Sequence, residues 1–318
     1  MRIVFMGTPD FAVPSLRRIA ADGSGYELAL VVTGCDKPRR NRNSAPEPTP
    51  VKRAALELGL PVYETDDVRS PEFAAKVADC RPDVIVVAAF RVLPPEVFLL
   101  PSLGTFNLHG SLLPAYRGAA PVNWAIINGD SRTGVTTFFL QQSVDTGNII
   151  TFDETPIGPD DNASDLLVRL SEIGAGTVAR TLSMIREGTV VPLRQDDSLA
   201  TRAPKLTREN TRIDWNRPSQ RVHDFIRGLA MKPAAWTTFG GKNLKVYRAR
   251  PATGIDETLA DAGSVKPGSL AVSDGRLLVR CVDGWLELLT LQAEGKTAME
   301  GESFARGLRF GGELLCFS

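Results

Sequence analysis

The sequence is short of several things, and each shortage removes a class of protein. Nowhere in its 318 residues do about 18 consecutive apolar residues occur, so no membrane-spanning helix is expected. The four cysteines, Cys35, Cys80, Cys281 and Cys316, lie far apart, with no Cys-x-x-Cys pair and no histidine at ligand spacing. Neither a disulfide framework nor a zinc site is indicated, and no metal is expected. Net charge is missing too: 37 Lys plus Arg balance 37 Asp plus Glu, which excludes a uniformly basic nucleic-acid binder and means that charge has to be read locally. The scattered cysteines fit a reducing cytoplasm, and because Met1 leads straight into a strand-like run, neither export nor membrane anchoring is expected.

What is present reads as two domains, since the chain is about twice the usual domain length. Ile3 to Met6 is a short apolar run closed by Gly7-Thr8-Pro9, after which Phe11, Val13, Leu16 and Ile19 recur at rough helical spacing. Strands over Leu28 to Thr33 and Pro61 to Tyr63 alternate with helices over 50–58 and 71–79, ahead of the fully apolar run from Val84 to Ala89. Runs apolar on both faces belong in a parallel sheet covered by helices, so the first half is expected to be an α/β, doubly wound (Rossmann-like) domain. Gly7 to Ala12 lacks the second and third glycines of a dinucleotide fingerprint, so no nicotinamide or flavin cofactor is expected.

The segment Asn107-Leu108-His109-Gly110-Ser111-Leu112-Leu113-Pro114 concentrates polar groups at the expected end of a strand. If Thr105 to His109 is extended, Asn107 and His109 share a face. An amide and an imidazole aimed at one spot suit oxyanion stabilisation and proton transfer in an acyl transfer. The plainer alternative is a core histidine beside a turn amide, although the chain has only two histidines and the other, His223, sits in an Arg-rich, helix-like stretch. Phe90, Arg91, Val92 and Leu93, followed by two prolines, form an irregular wall beside Asn107. Leu112-Leu113-Pro114 is either ordinary packing or one side of a slot for a flat ligand. Thr133 to Gln141 reads as a strand and Ser143 to Asn148 as a turn, in which Asp145 is either a turn former or the carboxylate that orients His109.

Two stretches are locally basic. Between Cys35 and Pro50 the chain carries Lys37, Arg39, Arg40 and Arg42 with four prolines and almost nothing to bury, so an exposed loop is expected, either incidentally charged or gripping phosphates. From Arg202 to Arg250 there are 12 Lys or Arg against 3 Asp or Glu, either a solvated face or the footprint of a polyanion, with Arg227, Lys232 and Lys245 as candidate contacts. A helix from about Ala163 to Glu187 closes the first domain. The resulting division is 1–188 for the first domain, 189–206 for a linker and 207–318 for a second domain, whose short strand-like runs suggest a small β-barrel.

Taken together, Gly7-Thr8-Pro9-Asp10-Phe11-Ala12, the Asn107 to Pro114 segment, Tyr116-Arg117-Gly118-Ala119-Ala120-Pro121 and Asp145-Thr146-Gly147 resemble the methionyl-tRNA formyltransferase family. The likeness extends to Ile213-Asp214-Trp215 and Pro233-Ala234-Ala235-Trp236, although Ala230-Met231-Lys232-Pro233 stands where relatives often have Asn-Pro-Trp-Pro. The resemblance implies a catalytic set of Asn107, His109 and Asp145. It implies folate contact through Ser111, Leu112, Leu113 and Pro114 beside the wall of Phe90, Arg91 and Val92. It further implies 10-formyltetrahydrofolate as co-substrate, initiator methionyl-tRNA as partner, an OB-like second domain that binds tRNA, and a monomer. A formyltransferase acting on a sugar-nucleotide or purine-pathway amine is the alternative, for which two basic stretches would be superfluous.

Overall fold

The computed structural model describes residues 1–23, 25–37, 46–230, 232–255, 265–308 and 315–317. Arg39, Arg40 and Arg42 therefore lie outside the described residues. The chain divides into two units, the first made of Met1–Pro121, Arg132–Pro156 and Leu167–Ala203, the second of Val122–Ser131, Ile157–Leu166 and Pro204–Ser318.

In the first unit, strands β1 (Arg2–Gly7), β2 (Glu27–Thr33), β3 (Val62–Glu64), β4 (Val84–Ala88) and β5 (Thr105–His109) are parallel, in the order β3-β2-β1-β4-β5. Ile3, Val4, Phe5 and Met6 are all buried, as a central strand covered on both faces requires. Helices α1 (Val13–Ala21), α2 (Pro50–Glu57) and α3 (Pro71–Asp79) begin where the sequence signals a start: each carries proline in its first turn. The hydroxyls of Thr49 and Ser70 accept from Lys52 N and Phe73 N, capping α2 and α3. Phe73 and Val77 of α3 pack on Val4, Met6, Ile85 and Val87 of the sheet.

The parallel sheet predicted for this half carries an antiparallel edge. β7 (Arg132–Phe139) pairs antiparallel with β5, and β8 (Ile149–Pro156), which the sequence reading did not contain, pairs antiparallel with β7. The expected linker also behaves differently over most of its length. Leu193 exchanges backbone hydrogen bonds with Ile149, and β9 (Arg202–Ala203) pairs with β6 (Arg117–Gly118). Residues as far as Ala203 are thus folded into the first unit.

The second unit holds an antiparallel sheet of β10 (Ala235–Phe239), β11 (Lys242–Pro251), β12 (Leu270–Ser273), β13 (Arg276–Arg280), β14 (Trp285–Ala293) and β15 (Met299–Glu300). The hydrogen-bonded order is β10-β11-β14-β13-β12 with β15 on β14, an open sheet among the described residues where a closed barrel was expected. Helix α7 (Ser219–Leu229) lays Val222, Ile226 and Leu229 on this sheet, sharing a core with Val246, Leu286, Leu288 and Ile127. The short helix α5 (Pro121–Ile127) joins through its side chains: Asn123 Nδ2 donates to the Gly228 carbonyl and Trp124 Nε1 to the Pro204 carbonyl, each at 2.8 Å. Helix α6 (Ala163–Glu187) follows, and no helix among the described residues is long and apolar enough to cross a membrane.

Candidate active site

β5 lies between β4 and β7, with Asn107 opposite Val87 on one side and Phe138 on the other. Strand alternation puts the side chains of Asn107 and His109 on one face, and the neighbouring Phe106 and Leu108 are buried in the core. His109 Nε2 is 2.8 Å from the Tyr116 carbonyl oxygen, which can only accept, so Nε2 carries a proton and donates. That leaves Nδ1 turned toward Asp145, whose Oδ2 is 4.0 Å away. Phe138 meets the imidazole edge-on, with ring centroids 6.4 Å apart, and fixes its plane.

Asp145 is placed by the turn between β7 and β8. Its backbone is left-handed (φ 56°), a conformation that aspartate tolerates better than most residues, and its Oδ2 accepts from Gly118 N at 2.9 Å. Two residues on, a Cβ at Gly147 would run into the Phe139 carbonyl oxygen, so only glycine lets the turn close against β7. Gly118 is held as tightly: its φ of 129° excludes a side chain, and a Cβ there would strike the Ala203 carbonyl. The glycines in Arg117-Gly118 and Asp145-Thr146-Gly147 are thus geometric requirements of the carboxylate's position.

The Ser111 to Pro114 segment is a braced loop. Ser111 donates to the Ala115 carbonyl at 2.6 Å, Thr136 donates to the Ser111 carbonyl at 2.7 Å, and Leu113 N donates to Thr136 Oγ1 at 3.1 Å. Ser111 is fully buried, so its hydroxyl shapes the loop and does not reach outward. Leu113, which precedes a cis peptide bond to Pro114, packs with Phe138 and Ile149. Leu112 lies against Gly134.

A cavity opens beside Asn107 and Asp145, with apolar walls from Phe90, Val92, Leu93 and Leu140 and a polar rim from Gln141, Gln142 and Ser143. It brings together two of the three catalytic candidates and the whole Phe90 to Val92 wall, while Ser111 to Pro114 take no part in its lining. Leu93, part of the wall read from the sequence, lines it as well, whereas Leu140 and the two glutamines were missed, since nothing in the sequence distinguishes them from the strand and loop residues around them. A second cavity of about 410 Å³ at the carboxyl ends of the strands shares Phe90 and Arg91 with the first and adds Thr8, Gly34 and Lys37. Arg91 is anchored there by the Asp66 carboxylate and the Thr65 carbonyl. Lys37 is exposed, whereas Lys52 bridges Asp36 and Glu64 at 2.5 and 2.6 Å. Hydrogen bonds donated to those two carboxylates raise the Lys52 pKa, and the one that Asp36 accepts lowers the Asp36 pKa. Among the described residues no group of three or more His, Cys, Asp or Glu is placed to hold a metal ion.

In the second unit Lys232 and Lys245 are exposed, but Arg227 has to be withdrawn from the charged surface. It is buried, its Nε donating to Asp224 at 2.8 Å and its NH1 donating to the Gly158 and Asp161 carbonyls at 3.2 and 2.8 Å. A guanidinium enclosed in this way ties backbone together and lies beneath the charged surface. Exposed cations gather instead near Trp236, with Arg208 and Arg212 lying 4.6 and 5.6 Å from its ring centroid and Lys245 opposite it on β11.

A doubly wound sheet whose fifth strand presents an amide and an imidazole on one face, with a carboxylate near the imidazole and an apolar slot with a polar rim alongside, is an arrangement suited to acyl-type group transfer. Residues 1–182 match the family model for formyl transferase, and residues 205–309 match that for the formyl transferase C-terminal domain. The chain belongs to the formyl transferase family. It is 62% identical to the methionyl-tRNA formyltransferase of Chlorobium limicola, over 98% of this chain and 97% of that one. It is 60% identical to the enzyme of the same name from Chlorobium luteolum, over 97% of each chain. The N-formyltransferase of Helicobacter canadensis, solved with folinic acid and dTDP-3-aminofucose, shares the fold at a TM-score of 0.66 and 18% identity, covering 92% of this chain and 98% of that one.

Proposed function

We propose that this protein transfers the formyl group of 10-formyltetrahydrofolate to the α-amino group of methionine carried on initiator tRNA, in the cytoplasm. The observation that carries the chemistry is the convergence of Asn107, His109 and Asp145 on one face at the end of β5. What selects the acceptor is near-full-length identity of about 60% to proteins named for that reaction, joined to exposed cations on the second unit. The cavity beside Asn107 suits the pteridine end of a folate, because a flat heterocycle needs apolar walls and a few edge-on polar groups.

As the acceptor amine attacks the formyl carbon, charge builds on the formyl oxygen. The Asn107 amide donates to that oxygen, and so does His109 through Nδ1 when this nitrogen is protonated, its Nε2 being occupied by Tyr116. Asp145 balances the imidazolium and takes the amine proton, directly or through water; when the tetrahedral intermediate collapses, the bond from the formyl carbon to N10 breaks and that proton passes to N10, so that tetrahydrofolate leaves neutral at nitrogen and Asp145 is a carboxylate again. The work is divided between the first unit, which performs the transfer, and the second, whose Lys232 and Lys245 meet tRNA phosphates. Lys37 and the loop with Arg39, Arg40 and Arg42 guide the acceptor end.

The test is a formyl-transfer assay with 10-formyltetrahydrofolate and three acceptors: methionyl initiator tRNA, glycinamide ribonucleotide and dTDP-3-aminofucose. Product on the tRNA alone supports the reading. The fold likeness to an enzyme solved with an amino-sugar nucleotide favours the second reading, a small-amine formyltransferase, and product on either small amine would establish it.

A further inference from the structure

The Asp145 turn is gripped from outside its own hairpin by one side chain. Gln195 is buried, and its Nε2 donates to the carbonyl oxygens of Asp145, at 2.9 Å, and Gly147, at 2.8 Å. Its Oε1 accepts twice from Arg117, from Nε at 3.1 Å and from NH2 at 2.7 Å. The amide's two donors and two acceptor positions are all engaged, so its orientation is determined. Arg117 is further held by Asp197 at 2.7 Å and by the pairing of β6 with β9. The residue after it, Gly118, donates its N–H to Asp145 Oδ2. The carboxylate is therefore fixed at both ends, its side chain by Gly118 and its main chain by Gln195, and Arg117 links the two holds.

From this network we infer that Gln195 is a positioning residue for formyl transfer, which holds the left-handed Asp145 turn so that its carboxylate faces His109 Nδ1. The inference rests on the role given above to Asp145. Positioning of this kind matters because a catalytic group displaced by about 1 Å can cost a factor of 10² in rate. A buried amide hydrogen-bonded to two carbonyls through the same nitrogen has no isosteric substitute: glutamate keeps the shape and improves the pairing with Arg117, but it has no donors for the two carbonyls.

The experiment compares the parent with Gln195→Leu, Gln195→Glu, Asp145→Asn and the double variant Gln195→Leu/Asp145→Asn, assaying formyl transfer to methionyl initiator tRNA and checking each fold by circular dichroism and thermal melting. The expected result is that both single Gln195 variants lose about 10- to 100-fold in kcat, with KM for tRNA and folate within about twofold of the parent. The double variant should fall no further than Asp145→Asn alone, because the clamp acts only through that carboxylate. Parental kcat in Gln195→Glu would mean that the residue merely anchors Arg117, and it would overturn the proposal. So would parental kcat in a folded Gln195→Leu, or a double variant that multiplies the two losses. If Asp145→Asn itself turned over like the parent, the fault would lie in the role assigned to Asp145, and the positioning proposal would fall with it. Should Gln195→Leu fail to fold, the near-isosteric glutamate variant still decides the matter.

Discussion

The two histidines occupy surroundings that differ in one decisive respect. Both are buried, His109 at 5% and His223 at 7% exposure, so burial does not separate them. His109 is held by the Tyr116 carbonyl on one nitrogen and turns the other toward a carboxylate at the wall of a cavity. His223 finds its partners within its own helix. Its Nδ1 is 3.3 Å from Gln220 Nε2, and the nearby Asp224 Oδ1 already receives Arg227 at 2.8 Å and Gln220 at 3.1 Å. His223 Nδ1 lies 3.9 Å from that oxygen, much as His109 lies from Asp145, but here the carboxylate is already paired with a buried arginine and lines no cavity beside Asn107. What sets His109 apart is that its partners come from separate segments of the chain and that its carboxylate lines a cavity, which is the ground for the catalytic role proposed for it.

The sharpest way to break this comparison is at the site. Asn107→Ala and His109→Ala should each lower kcat by about 10² or more, the usual cost of a missing oxyanion donor, with tRNA affinity within a few-fold of the parent. His223→Gln should leave kcat within about twofold. A His109→Ala enzyme that turned over normally, or a His223→Gln enzyme that did not, would reverse the assignment.

Next in size is the arginine that separates the two environments. Replacing Arg227 by Met leaves Asp224 buried without its cation, and removing one partner of a buried pair costs about 3–5 kcal/mol. Denaturant unfolding monitored in the second unit should show a loss on that scale. The salt dependence of tRNA binding should not change, because Arg227 is buried and its charge is already paired with Asp224. Lys232→Gln and Lys245→Gln should do the reverse, preserving stability while lowering the salt slope of tRNA binding by about one unit per lysine. Retention of the full slope in the double lysine variant would remove these residues from the tRNA surface.

Arg227 also shows where reading the sequence stops. A charge count sees 12 cations between Arg202 and Arg250 but not which of them are enclosed, and the only local warning was Asp224 three residues earlier on a helix. The site was more legible, because strand alternation alone pairs Asn107 with His109, and Asp145-Thr146-Gly147 is a recognisable turn. β8 was not legible: Asp153 and Glu154 interrupt its pattern, and their tolerance depends on pairing at the sheet edge and on Arg180, which binds Asp153 at 2.6 Å, and Arg132, which binds Glu154 at 2.6 Å. Gln195 was beyond reach altogether, since its partners are backbone carbonyls in a remote turn and its own segment, rich in proline and charge, has the composition of a linker.

The smallest effect expected concerns pH. Burial, and after it the Arg227 cation, push the His223 pKa below the ordinary histidine value, with Asp224 and Asp160 pulling weakly the other way. A group whose folded pKa is depressed binds protons more readily in the unfolded chain. Above the unfolded value of about 6.5 neither state is protonated at this position and His223 has no effect on stability. As pH falls below about 6.5 the unfolded chain takes up a proton that the folded second unit refuses, and stability declines until the folded pKa is passed. Carboxylates stabilised in the native state add their own losses at lower pH, so the informative quantity is a difference between proteins. His223→Gln removes the titrating group while retaining a side chain able to hydrogen-bond. Melting temperatures of parent and variant, measured from pH 8 to pH 5, should run parallel above about pH 7 and converge below it as the parent loses more. Curves that stayed parallel throughout would mean that His223 gains its proton as easily folded as unfolded, and the contrast drawn between an enclosed histidine and a poised one would lose its energetic half.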